Sequence, residues 1–439
     1  MPAINSGTHS DIAVNRSGSL SFVPNQDNIT VSLSYATSPG VGGEGYLDFI
    51  EINARRNLIM VSNQMEFRDI QSIGTPNIGK FVISAGSSID EVWDVTDPLT
   101  VKNVSITKTG NNVEFIQKTD SLRTFIAITN TGYLTPSFVE KVENQNLHGE
   151  LIPDMLIVYH PLFENQVQQL KEFHEGNGLN VLEATVQEIY NEFSGGMQDV
   201  AAIKTFAKMF YDRGGSNPPR YLLLFGDGSF DYKGRVTPNH NFVPVWESKA
   251  YLANIKSYAS DDFFAILDDG ESLGNNQLMD IAVGRLTVTN VGEAQIVVNK
   301  IINYQKQGQQ AAEISNCNDI NSGSPYGDWR NKLIFIADDV DNNWEKDFVQ
   351  HIETICDTIE KNQSFFNIEK IYMDAYNQTS ASGGERYLEG ANLIKRAVEE
   401  GALITTYEGH GGEIGWGTER FLDLGVINGW TNSNRLSVF

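Results

Sequence analysis

The chain has 439 residues, 40% of them apolar and 10% aromatic, so it can bury large cores and is too long for one ordinary domain. Its 56 acidic residues against 32 basic ones give a net charge of −24, a field that repels phosphate backbones and argues against a nucleic acid partner. Cys317 and Cys356 are the only cysteines, so there is no disulfide framework and the redox compartment is not readable.

The opening "MPAINSGTHSDIAVNRSGS" lacks the charged-then-apolar plan of a secretory leader. The expectation is therefore either a cytosolic protein or a sequence that does not begin at the true start. Residues 1–150 read as a β-rich, sandwich-like region, because short alternating runs at 28–35, 103–107, 112–117 and 124–130 are separated by turn-formers. From residue 151 the rhythm changes to continuous apolar runs, each followed by a helix-length amphipathic segment, as buried parallel strands with crossover helices do. Strands are expected at 155–159, 179–186, 221–227, 281–286, 332–339 and 402–409, and helices at 163–175, 199–212, 291–307, 346–361 and 391–400. In the fourth helix Phe348, Ile352, Ile355 and Ile359 form one stripe that should face a sheet. A polar excursion at 308–329 separates two subdomains, 151–310 and 325–439, of an α/β unit spanning 151–439.

In open parallel sheets ligands bind beyond the carboxyl ends of the strands. Titratable residues crowd that edge here: His160 in "YHP", Asp227 and Asp231 in "FGDGSFD", Asp338, Asp339 and Asp341 in "ADDVD", and Glu408, His410 and Glu413 in "EGHGGE". His410 reads either as a turn histidine whose glycines serve a tight bend, or as a catalytic base with Gly409, Gly411 and Gly412 clearing its approach and offering backbone N–H groups. Acyl transfer needs such a base and such donors, but a nucleophile is missing from this stretch. Cys356 lies on the apolar side of its helix and reads as buried and inert, while Cys317 sits in a polar loop without an activating partner. Asp227 and Asp231 are candidate ligands for calcium as a structural ion, with a plain turn as the alternative, and Asp261 and Asp262, with Asp268 and Asp269 further along "SDDFFAILDD" (260–269), read as calcium ligands or pocket wall, or as a solvated loop. No other cofactor is called for.

The segments "YEGHGGEIGWGTERF" (407–421) and "TNSNRL" (431–436) resemble the gingipain-type (C25) cysteine peptidases. The likeness extends through "YLLLFGDGSFDYKGR" (221–235), "SDDFFAI" (260–266), "IAVGRL" (281–286) and "DWRNKLIFIADD" (328–339), and so covers roughly residues 150–439. Upstream, "YLDFIEINARRNLIM" (46–60) and "MEFRD" (65–69) are closer to the branch that serves as sortase and signal peptidase of the type IX secretion system than to the digestive gingipains. The resemblance implies a caspase-like α/β catalytic domain behind a β-rich region. It makes His410 the catalytic histidine, the N–H of Gly411 an oxyanion donor, and Asp347 or, as runner-up, Asp339 the assisting acid.

It also implies polypeptide substrates with C-terminal secretion signals, a glycolipid acceptor, outer-membrane secretion components as partners, and a location on the extracellular side of the cell surface. In the family the nucleophilic cysteine follows the strand after the "TNSN-x-L" segment. That places it a few residues past Phe439, so the 439 residues are expected to be an inactive piece of a longer reading frame. Two rivals stand beside this reading: a non-catalytic, calcium-stabilised or pseudoenzyme module that binds clients at the cell surface, and a metal-dependent hydrolase using His160, His410 and the aspartates. The second lacks paired ligand spacing such as HExxH.

Overall fold

The computed structural model describes residues 15–24, 28–36, 44–139, 141–248, 257–273, 277–310, 328–381, 384–412, 414–433 and 435–439. The chain divides into two compact units, Ser17–Asn144 and Gln145–Phe439 together with Met1–Arg16.

Among the described residues the first unit holds seven strands, β1 (Gln64–Phe67), β2 (Ile78–Ile83), β3 (Ile89–Asp94), β4 (Lys102–Asn103), β5 (Thr107–Thr109), β6 (Asn112–Lys118) and β7 (Phe125–Thr129). They form two antiparallel sheets, ordered β1-β7-β3-β4 and β2-β6-β5. Alternation decides which residues face inward: Phe81 and Ile83 on β2, Val113 and Phe115 on β6, and Phe125 and Ala127 on β7 meet in one apolar core. The expected strand at 28–35 is not among them. Ile29, Val31, Leu33 and Tyr35 are exposed, and no described strand pairs with that segment, although a strand's backbone groups are satisfied only by a neighbour. Conversely β1, β2 and β3 carry Gln, Glu, Lys and Asp on their outer faces, which hid them from a reading by apolar runs.

The second unit begins with β8 (Met155–Tyr159), α1 (Glu164–Gly176), β9 (Val181–Thr185), α2 (Val186–Phe193), α3 (Val200–Gly214), β10 (Tyr221–Phe225), β11 (Ala282–Leu286) and α4 (Val291–Gln310). Its sheet is wholly parallel, in the order β11-β10-β8-β9. Successive residues of β8 face opposite layers: Leu156 and Val158 pack on Phe206 and Phe210 of α3 and Ile189 of α2, while Ile157 and Tyr159 pack on Val167 and Leu170 of α1 and Val298 of α4. Covered on both faces, such strands read as unbroken apolar runs.

A second parallel sheet follows, made by β12 (Lys332–Ala337), β13 (Asn367–Tyr372) and β16 (Ile404–Glu408) in the order β13-β12-β16. Helix α5 (Lys346–Asn362) covers one face through Ile352 and Cys356. Helix α6 (Leu388–Glu400) covers the other through Ile394, Ala397 and Val398. The buried stripe of α5 runs through Ile352 and Cys356, whereas Ile355, expected on it, is 45% exposed. Two hairpins, β14 (Thr379–Ala381) with β15 (Gly384–Arg386) and β17 (Gly415–Trp416) with β18 (Leu422–Asp423), and a short helix α7 (Leu424–Asn428) complete the unit. Val438 lies parallel to Ile404, accepting from Thr405 N at 2.8 Å, so backbone pairing continues on the free side of β16.

Candidate active site

The carboxyl edge of the second sheet is where β12 and β16 release their chains side by side. Ala337 pairs with Glu408, and one step further Asp338 N donates to Glu408 O at 3.1 Å. The residues immediately beyond are Asp338 on one strand and Gly409-His410 on the other, so sheet register alone brings a carboxylate and an imidazole together. Oδ2 of Asp338 accepts from the backbone N of His410 at 2.8 Å and lies 2.9 Å from its Nδ1. Asp338 is only 1% exposed, while the His410 side chain is 45% exposed. A buried carboxylate accepting at Nδ1 fixes the tautomer and leaves Nε2 to exchange protons.

The other side of the ring is set by the start of α5. Oε1 of Glu345 stands 3.4 Å from Nε2, beyond ordinary hydrogen-bond length, and the carboxylate is held by the backbone and side chain of Asn342. Those Asn342 contacts, against the opposing effect of burial, keep the Glu345 carboxyl low. Trp344 and Phe348 meet the imidazole edge to face, with centroids at 5.7 and 5.5 Å. The result is a ring clamped on two aromatic sides, tied at Nδ1, and open to solvent over nearly half its surface.

Each glycine of the turn has its own reason. A Cβ on Gly409 would lie 2.4 Å from both Asp338 Cβ and Tyr407 Oη, so the histidine can approach Asp338 only because Gly409 has no side chain. The carbonyl of His410 accepts from Tyr407 Oη at 2.7 Å and from Gly417 N at 2.8 Å. Gly417 has φ +67°, and a Cβ there would strike Phe421 at 2.4 Å. Gly411 faces Trp416 in an antiparallel bridge flanked by the Gly412 N to Gly415 O and Gly417 N to His410 O bonds. That geometry turns the Gly411 N–H outward. Among the described residues it meets no acceptor, and the space at its Cβ position is open.

The acids expected to assist His410 lie elsewhere. Asp339 accepts from Tyr387 Oη at 3.1 Å, with its carboxylate close to that of Asp338 and not against the imidazole. Burial first, then the carboxylates of Glu419 and Asp338, push its carboxyl up. Asp347 is exposed in the first turn of α5, where its charge helps raise the pKa of His351 behind that residue's hydrogen bond to Glu408. Neither touches the imidazole; Asp338 and Glu345 do. The signal that could have found Asp338 was the pairing register of β12 and β16, which fixes which of two adjacent aspartates points at the turn.

The expected calcium ligands are not drawn together. Asp261 is held by both arms of Arg285 at 2.7 and 2.9 Å, and Asp231 is spent on its own loop through Val236 N at 2.6 Å and Asn239 Nδ2 at 3.2 Å. Asp227 uses its backbone to tie Phe242, Val243 and Val288, and Asp262 lies exposed in a short 3-10 turn capped by Ser260. Among the described residues, the carboxylate groups spaced to share one ion are Asp338, Asp339 and Glu419, and Asp268, one of the expected acids, with Glu271 and Asp280. His160 caps its own turn through Leu162 N at 3.2 Å and is in neither group. Cys356 is fully buried between α5 and the sheet, and burial pushes its thiol up, so it is no nucleophile as folded. Cys317 and Glu413 lie outside the described residues.

Parallel sheets covered on both faces, with a histidine turn at the carboxyl edge, define the class of caspase-like α/β peptidases. The model of peptidase family C25 matches residues 148–439, more than half of the chain, and the chain belongs to that family of cysteine peptidases. Among solved structures it is similar to dimeric latent PorU from Porphyromonas gingivalis, at 31% identity and a TM-score of 0.51, over 60% of this chain and 26% of that one. It also matches a structure described as a protease, at 17% identity and a TM-score of 0.40, over 64% of this chain and 50% of the other. The chain thus spans about a quarter of the PorU chain and half of the second. No curated protein matches it.

Proposed function

We propose that this chain carries the histidine half of a PorU-like cysteine endopeptidase that removes C-terminal sorting signals from type IX secreted proteins and passes the trimmed proteins to an acceptor at the cell surface. The observation that carries the reading is the 2.9 Å contact between His410 Nδ1 and Asp338 Oδ2 at the rim of the sheet, beside the outward N–H of Gly411. Membership of family C25 and the likeness to PorU support it.

Nε2 of His410 takes the proton from a cysteine thiol, and the thiolate adds to the scissile carbonyl carbon. The Gly411 N–H donates to the oxyanion. As the C–N bond breaks, Nε2 returns the proton to the departing amine, and the thioester is then opened by water or by an acceptor amine. Cys356 is enclosed, so the thiol comes from another segment. A segment lying parallel beside β16, as Val438 lies beside Ile404, is its natural carrier, because it heads for the same edge as His410. The acceptor is a surface glycolipid, and the site of action is the outer face of the outer membrane. Among the described residues no helix is long and apolar enough to cross a membrane.

The test is cleavage of a peptide bearing a C-terminal sorting signal by the protein in a form that continues past Phe439. Its His410→Ala variant should lose activity by roughly 100-fold or more. Undiminished cleavage by that variant would remove His410 from the chemistry, whereas no cleavage by the unaltered protein, with no cysteine in reach of His410, would leave the client-binding, non-catalytic reading in its place.

A further inference from the structure

The geometry points to a binding site for one hard divalent cation, of the calcium class, directly behind His410 and formed by Asp338, Asp339 and Glu419. These three side chains are 1%, 7% and 4% exposed. Each offers an oxygen, all within 4.8 Å of one another. Two oxygens bonded at about 2.4 Å to one ion can stand no farther apart than about twice that distance, so the spacing is that of ligands sharing a centre.

The charge balance demands something positive. No lysine or arginine among the described residues is ion-paired with any of the three, and their polar neighbours are few. Tyr387 Oη donates to Asp339 at 3.1 Å, Gln378 Nε2 approaches Glu419 at 3.4 Å, and His410 occupies Oδ2 of Asp338. Oδ1 of Asp338 is sealed from solvent and has no hydrogen-bond partner. An enclosed carboxylate oxygen without a donor is costly, and three enclosed carboxylates close to one another are far more so. With Oδ2 committed to the histidine, Oδ1 is the oxygen Asp338 has left for the group.

The donor set also selects the ion. All three ligands are carboxylates, no sulfur is at hand, and Nδ1 of His410 is already bonded to Asp338, which favours a hard cation over zinc or copper. Calcium tolerates irregular oxygen cages better than magnesium does. Such an ion would sit on Oδ1 without competing for Oδ2, so the pair that orients His410 and the ion would share one carboxylate through different oxygens. The site stands independently of the peptidase reading, because its test does not measure turnover.

The experiment uses the 439-residue chain stripped with EDTA, with terbium as a luminescent probe excited through nearby aromatic side chains and calcium as competitor. The expected result is saturable sensitised emission that calcium displaces, one tightly held calcium per chain by elemental analysis, and a melting temperature that falls with EDTA and recovers with calcium. Asp339→Asn and Glu419→Gln should weaken binding roughly tenfold or more and abolish the calcium-dependent recovery, while Asp280→Asn, in the other acidic group, should leave both unchanged. Should the neutralised variants fail to fold, Glu419→Asp, which keeps the charge and withdraws the oxygens, decides: calcium affinity must drop by a similar factor. The proposal is overturned if the wild-type chain shows no response to calcium, in which case the carboxylates hold protons only, or if Glu419→Asp and Asp280→Asn respond alike.

Discussion

At the scale of single residues, three glycines around one imidazole separate into different physical roles. Gly417→Ala meets both a left-handed backbone and a ring at 2.4 Å, so it should cost about 1–3 kcal/mol or more, read as a lower midpoint in denaturant unfolding. Gly411→Ala points a methyl group into open space and should leave the unfolding midpoint within about 0.5 kcal/mol of wild type. Asp338→Asn keeps the shape of the side chain and removes the charge that holds Nδ1–H. In a turnover-competent form it should lower kcat by roughly 100-fold or more with KM little changed, measured by steady-state kinetics on a peptide substrate. His410 was legible because a histidine so closely packed among glycines implies something close by. Its partner was not: Asp338 and Asp339 are adjacent and chemically alike, and only the register of β12 against β16 decides which one reaches the ring.

At the scale of elements, the start of the second unit is tied to α2 by one carboxylate. Glu192 accepts from Gln145 Nε2, from the backbone N of Leu147 at 2.7 Å, and from His148. Burial alone would raise this carboxyl, but the four hydrogen bonds outweigh it and hold the group at about 2, against an ordinary 4.5. A depressed carboxylate adds stability that is present above its unfolded value and lost as pH falls through the folded one. Glu192→Gln should therefore destabilise the fold by about 1–3 kcal/mol near neutral pH, and the gap to wild type should close between pH 4.5 and about 2. Thermal unfolding across that range checks it. Buried parallel strands announced themselves as apolar runs, since β8, β10 and β12 are covered on both sides. Edge strand β13 did not, because Glu369 and Lys370 interrupt it and find partners in Lys332 and Glu353. The run at 28–35 erred the other way: alternation supplies a face, but a strand also needs a neighbour.

At the scale of the whole molecule, the rhythm of the chain carried the fold class, and the glycine-framed histidine carried the family. What no rhythm could show is which distant carboxylates meet: Asp338 and Asp339 from the end of β12 come together with Glu419 from the β17–β18 hairpin. The central claim is that His410, tied to Asp338, activates a sulfur brought alongside β16. A peptidyl electrophile offered to the protein in a form that runs on past Phe439, followed by mass-spectrometric mapping of the adduct, tests it most directly. The account predicts a single modified cysteine other than Cys356, with labelling slowed roughly 100-fold or more by His410→Ala. Modification of Cys356, or labelling indifferent to His410, would contradict it.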